Sequence, residues 1–195
     1  MQKVTKFIKN GDQLWYVKDG VFEKITTLVK YNNKYHYIKN GIFTKATTLV
    51  NYAGQYRYVK DGIFTKATTL VKYQNDYWYV RDGVVCKVTT LIKYGDHYWY
   101  VKGGKLQKVT TLVNYGDKYY YVQNGKHVKA TGLAKYGNDY WYVKNGVVSK
   151  ETTLVKQGGK YYLVYRGKWH RTYNGTYVWN NVRWKIVNGV VTGRA

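Results

Sequence analysis

The chain has 195 residues, with 33 Lys and Arg against 10 Asp and Glu, for a formal net charge of +23. Aromatic residues make up 18% of it, which excludes an intrinsically disordered tail, since such tails are poor in aromatic and β-branched side chains. The single cysteine, Cys86, cannot close an internal disulfide, and no apolar run approaches the roughly 18 residues of a membrane-spanning helix.

Met1-Gln2-Lys3-Val4-Thr5-Lys6 lacks the apolar stretch of a signal peptide. This fits a segment of a longer secreted protein, and also a complete cytoplasmic chain. Beyond it the sequence repeats. Glycine recurs every 21 residues at Gly20, Gly41, Gly62, Gly83, Gly104, Gly125, Gly146 and Gly167, and leucine at the same interval from Leu28 to Leu154. A Thr-Thr pair precedes most of these leucines, as in Thr89-Thr90-Leu91. The expected organisation is one repeat domain over 1–195: an imperfect unit over 1–20, seven 21-residue units over 21–167, and a divergent capping unit over 168–195. In the last of these, Asn188-Gly189 breaks the spacing by one residue.

Each unit carries strand signals. From Thr89 to Lys108, two runs rich in β-branched and aromatic residues flank Gly95-Asp96, and Gly103-Gly104 ends the second run. In other units that closing turn is Asp-Gly or Asn-Gly, such as Asp61-Gly62 and Asn124-Gly125, which suits a type I′ hairpin. The absence of proline fits strands that use all their N–H groups. The expected fold is all-β, a repeat array of β-hairpins, and stacking of strand pairs into a β-solenoid is one arrangement of it. A continuous meander, with Ile42 to Tyr52 as a single bent strand, is the alternative. A propeller is less consistent, since 21 residues fall short of a blade of roughly 40.

Alternation assigns the faces. In Tyr77-Trp78-Tyr79-Val80, the two tyrosines point one way and Trp78 and Val80 the other. An aliphatic column runs from Val17 to Val164. A variable column, Trp15, His36, Arg57, Trp78, Trp99, Tyr120, Trp141 and Tyr162, accepts polar and aromatic residues alike, so it is expected at a half-buried rim. The acids fall mostly in turns, whereas the bases form rows, one of them Lys24, Lys45, Lys66, Lys87, Lys108, Lys129 and Lys150. If each unit adds two stacked strands, these lysines lie roughly 10 Å apart. They make either a solvated, edge-protecting surface or an extended face for a polyanion.

Catalytic chemistry is not expected. The four histidines fall in four different columns, and Cys86 sits in a tolerant column expected to be exposed. No nucleophile elbow, phosphate-cradling glycine loop or metal-ligand spacing is present, so neither enzyme activity, a cofactor nor a metal is expected. Asn174-Gly175-Thr176 fits a glycosylation sequon.

The unit Thr131-Gly132-Leu133-Ala134-Lys135-Tyr136-Gly137-Asn138-Asp139-Tyr140-Trp141-Tyr142-Val143-Lys144-Asn145-Gly146 resembles the cell-wall-binding, or choline-binding, repeat family. Related glucan-binding repeats occur in streptococcal glucan-synthesising enzymes and large clostridial toxins. The resemblance implies a β-solenoid of stacked hairpins and a wall or glycan address. It does not imply choline, because the Trp that follows Thr-Gly in the family is leucine in all seven full units, and the Trp that opens the family's Trp-Tyr-Tyr aligns with the tyrosine column, as at Tyr140. The chain is therefore expected to be a non-catalytic, extracellular, cell-wall-associated module of a secreted bacterial surface protein. Its expected partner is a teichoic-acid or peptidoglycan-associated wall polymer, or a glucan. Trp15, Trp78, Trp99, Tyr120, Trp141 and Tyr162 would stack on sugars, and the lysine row from Lys24 to Lys150 would meet anionic groups. A structural stalk or adhesin that binds no glycan is the alternative. Nucleic acid is a weaker fit, because the bases are spread over several rows rather than gathered in one groove.

Overall fold

A computed structural model describes residues 5–195; the opening residues 1–4, read above for a signal peptide, lie outside the described part. Every element among the described residues is a β-strand, and these strands pair antiparallel, as the composition and turn spacing predict. The pattern is three strands per unit. In one unit Thr48–Tyr52 and Gln55–Lys60 form a hairpin in the register Thr48↔Val59 to Tyr52↔Gln55, and the two-residue strand Ile63–Phe64 folds back on the second strand. Both turns have left-handed backbone, with φ of 52° and 79° at Ala53-Gly54 and 51° and 80° at Asp61-Gly62. The first turn, less obvious in the sequence, thus holds a non-glycine residue in a conformation that costs about 1–2 kcal/mol.

Consecutive units join through the short strand. Its first residue pairs with the middle of the preceding hairpin: His36 with Ile63, Arg57 with Val84, Tyr120 with Val147. Gly83 N donates to Ala67 O at 2.8 Å and Gly83 O accepts from Tyr58 N at 2.7 Å. This explains the glycine ruler. A Cβ at Gly83 would lie 2.5 Å from Thr65 O, so only glycine admits the neighbouring backbone. The column of Cys86 is consequently half-buried rather than exposed, because its carbonyls face the glycine of the next unit, Cys86 O being 2.6 Å from a Cβ built at Gly104. The bent-strand meander is also corrected: residues 44–47 belong to no strand, so Ile42–Phe43 and Thr48–Tyr52 are separate elements.

The core is a relay of small clusters. Leu49 of one hairpin packs with Val71 and Val80 of the next, and farther along Leu91 packs with Val113 and Val122. Val59, Val80, Val101, Val122 and Val164 are 0% exposed, as the alternation predicts. The first threonine of each Thr-Thr pair has a role that the sequence left unexplained. Its hydroxyl accepts the N–H that opens the closing turn, Thr68 from Asp82 at 3.2 Å and Thr110 from Asn124 at 3.2 Å.

The chain gathers into two compact units, Met1–Thr89 with Lys102–Leu106 and Thr90–Val101 with Gln107–Ala195, and the stacking holds within each. In the second unit the residue that breaks the spacing falls between Lys168–Trp169 and the hairpin Gly175–Trp179/Val182–Val187. The last strand, Val190–Arg194, then folds back so that Trp184 pairs with Arg194 after a bulge at Lys185/Ile186. Inner units offer this mid-hairpin position to the next unit. Here the strand Val190–Arg194 of the same unit occupies it. Asn174 of the sequon is part of this turn: its Oδ1 accepts from Asn188 N at 2.8 Å and its Nδ2 donates to Thr172 O at 3.3 Å.

Candidate functional site

Stacking leaves a groove between successive hairpins, and the groove recurs in register. In the first compact unit, Gln55, Tyr56, Tyr73, Trp78, Val84 and Lys87 line a cavity of about 590 Å³. In the second, His97, Tyr98, Tyr115, Tyr120, Lys126 and Lys129 line one of about 550 Å³. Each of these residues stands 42 positions, or two repeats, after its counterpart.

The aromatic walls arise from strand alternation and a third tyrosine column. Tyr56 meets Tyr73 at 5.5 Å between ring centres, and Tyr98 meets Tyr115 at 6.2 Å. In the second groove the series continues from Tyr115 to Tyr120 at 5.9 Å and from Tyr120 to the His127 ring at 5.3 Å. Burial, with the neighbouring Tyr56 second, pushes the Tyr73 hydroxyl above the usual tyrosine range. Tyr73 therefore presents a neutral face at physiological pH.

The polar complement of each groove is set by a pair of residues 29 apart. Lys105 Nζ lies 2.7 Å from Asp76 and 4.9 Å from the centre of the Trp78 ring. Lys168 Nζ lies 2.7 Å from Asp139, which also takes Arg171 at 3.3 Å. The corresponding pair is Gln55 and Val84 in the first groove, and His97 and Lys126 in the second.

The structure brings together several of the expected site residues. All six aromatic candidates are half-buried, and all seven lysines of the row are exposed. Trp78 shares a groove with Lys87, and Tyr120 shares one with Lys129. Lys150 lines a further groove with Lys118 and Tyr119. Other rim residues face packing partners: Trp15 rests on Phe22 at 4.6 Å, Trp141 joins the Leu112–Ala134–Val143 cluster, and Tyr162 meets Trp169 at 5.2 Å. The buried Trp99 Nε1 has no hydrogen-bond partner among the described residues.

Two features were not read from the sequence. The column Tyr31, Tyr52, Tyr73, Tyr94, Tyr115 and Tyr136 follows the same 21-residue spacing and supplies a groove wall. His97 and His127, which lie in different columns, both line one groove. The 29-residue spacing of Asp76 with Lys105 and of Asp139 with Lys168 was a signal that could have placed His97 beside Lys126.

The pattern described as "Choline-binding repeat" matches residues 25–42, 66–86, 87–107, 108–127 and 129–149, together more than half of the chain. The chain belongs to the choline-binding repeat family. Among solved structures, this choline-binding repeat protein is similar to CbpJ from Streptococcus pneumoniae, at 15% identity over 97% of this chain and 87% of that one, with a TM-score of 0.37. Choline binding protein F from Streptococcus pneumoniae matches at 14% identity over 96% and 93% of the two chains, with a TM-score of 0.30. An alternansucrase in complex with isomaltononaose matches at 13% identity over 96% of this chain and 16% of that one, with a TM-score of 0.39. No curated protein matches the chain by sequence.

Proposed function

We propose that the protein is a non-catalytic wall- or glycan-binding module of a secreted bacterial surface protein, and that it attaches outside the cell to an anionic wall polymer or polysaccharide. The observation that supports this most is the recurrence of one groove in the same register, with tyrosine pairs and a lysine at matching places. A repeating polymer meets such a surface several times over. Each contact is weak alone, and linked contacts raise the affinity through effective concentration. Groove tyrosines and the rim residues Trp78 and Tyr120 stack on sugar rings, while Lys87 and Lys129 meet phosphate or carboxylate groups.

The family name points to choline, and a choline cage needs aromatic faces around a quaternary ammonium. The leucines at the family's Trp position are instead core residues, Leu49 being 4% and Leu91 3% exposed. A net charge of +23 also repels a free cation. An anionic polymer therefore suits this chain better than choline. Co-sedimentation with purified Gram-positive cell walls and with insoluble α-glucan tests the reading. The protein should pellet with at least one of them, and free choline should not release it. Failure to pellet with either overturns the reading and favours a structural stalk.

A further inference from the structure

We propose that the groove between Tyr98 and Lys129 is a site for a phosphorylated sugar, with the ring against Tyr98, Tyr115 and Tyr120 and the phosphate held by Lys126 with Lys129 and His97. This rests on the reading of the chain as a polymer-binding module and assigns to one groove the recognition of the anionic unit.

The basis is a contrast between equivalent positions. Three units carry lysine at the first position of the short strand: Lys105, Lys126 and Lys168. Two of these lysines face an aspartate 29 residues earlier at 2.7 Å, Asp76 and Asp139, and their charges are neutralised within the protein. Lys126 has His97 at that place and makes no ion pair among the described residues. Lys129 makes none either, and both lysines line the same cavity. One carboxylate, Asp96, also lines the cavity, from the exposed hairpin turn. His127 closes a wall edge-on to Tyr120, at 77° between the ring planes, with its Nε2 turned toward Gly146. The groove thus offers two unpaired ammonium groups and an imidazole beside three tyrosine rings. A phosphate accepts charge-assisted hydrogen bonds from such donors, and a sugar ring attached to it covers the tyrosine faces. The cavity of about 550 Å³ admits a ligand of that size.

The test is a calorimetric and NMR titration of the whole chain with glucose 6-phosphate, with glucose and inorganic phosphate as separate arms. Glucose 6-phosphate should bind at least about ten-fold more tightly than either fragment, with the largest shifts at Tyr98, Tyr115 and Lys126. His97→Asp rebuilds the aspartate–lysine pair that the chain already uses at two equivalent places. It should keep the wild-type melting temperature and weaken glucose 6-phosphate binding about ten-fold. Lys126→Met should weaken binding by a similar factor. The proposal is overturned if His97→Asp binds as tightly as the wild type. It is also overturned if inorganic phosphate matches the sugar phosphate, or if the shifts spread evenly over all lysine rows. A protein that pellets with walls yet ignores glucose 6-phosphate loses the groove assignment alone. One that binds glucose 6-phosphate yet pellets with no wall or glucan loses the polymer-binding reading alone.

Discussion

The two grooves built two repeats apart share their backbone and differ in their lining. Both have a buried leucine at the floor, Leu49 or Leu91, and a tyrosine pair above it. At the variable positions the first groove has Gln55, Trp78 and Val84, and the second has His97, Tyr120 and Lys126. The glycine, threonine, leucine and valine columns set the scaffold, and a few exposed or half-buried positions set how each groove is lined. Repetition fixes the spacing of the sites, and variation at these positions makes the sites unlike.

The largest effect should appear when the shared scaffold is broken. Leu49→Ala and Leu91→Ala each remove a side chain buried under its groove, and each should cost about 2–5 kcal/mol in chemical denaturation. Similar losses are expected at the two sites, and a large loss at only one would show that the grooves do not rest on equivalent cores. Next comes the glycine ruler. Gly54 and Gly83 have the same φ of 79°, but a Cβ has open space at Gly54 and meets Thr65 O at 2.5 Å at Gly83. Gly54→Ala should cost about 1–2 kcal/mol from backbone conformation alone, and Gly83→Ala clearly more, as read from melting temperatures. A transplant sharpens the comparison further. Gln55→His together with Val84→Lys should give the first groove a glucose 6-phosphate affinity about ten-fold above its wild-type value, measured by calorimetry.

The smallest expected effect concerns pH. Burial, together with the charge of Lys34, holds the His36 ring below the usual histidine range, with a backbone contact to Lys34 O opposing them. The ring stands 5.3 Å from Phe7 and 5.5 Å from Phe43. Well above about pH 6.5 the ring is neutral folded and unfolded and adds no pH dependence. As pH falls below that value the unfolded chain takes up the proton first, so stability declines toward the lowered folded value. His36→Phe should flatten that part of the melting profile between pH 7.5 and pH 5, and an unchanged slope would place its origin elsewhere.

Much of the scaffold was legible because a repeat displays each structural demand many times. Gly83 is one of eight glycines in a column, and its spacing announced a backbone constraint before any contact was known. The valine column and the Asp-Gly turns were legible for the same reason. The grooves were harder to read. Tyr73 and Trp78 lie on neighbouring strands of one hairpin and Tyr56 on the hairpin before it, so no short motif contains them all. His97 and Lys126 share a groove because each short strand pairs back onto the preceding hairpin, as Lys126 does with Trp99, an offset that the 21-residue columns alone do not reveal. The many residue types tolerated in the column of Cys86 point to a surface position. That tolerance reflects the use of its backbone carbonyl rather than its side chain at the unit junction.

The most direct measurement of polymer attachment is the salt dependence of binding to purified, phosphate-rich cell walls. Lysine rows gripping an anionic polymer release its counterions, so the logarithm of affinity should fall linearly and steeply with the logarithm of salt concentration. The slope should become shallower in a variant with Lys87, Lys129 and Lys150 replaced by glutamine. A flat salt profile, or a slope that this variant leaves unchanged, would contradict attachment through the aromatic and lysine rows.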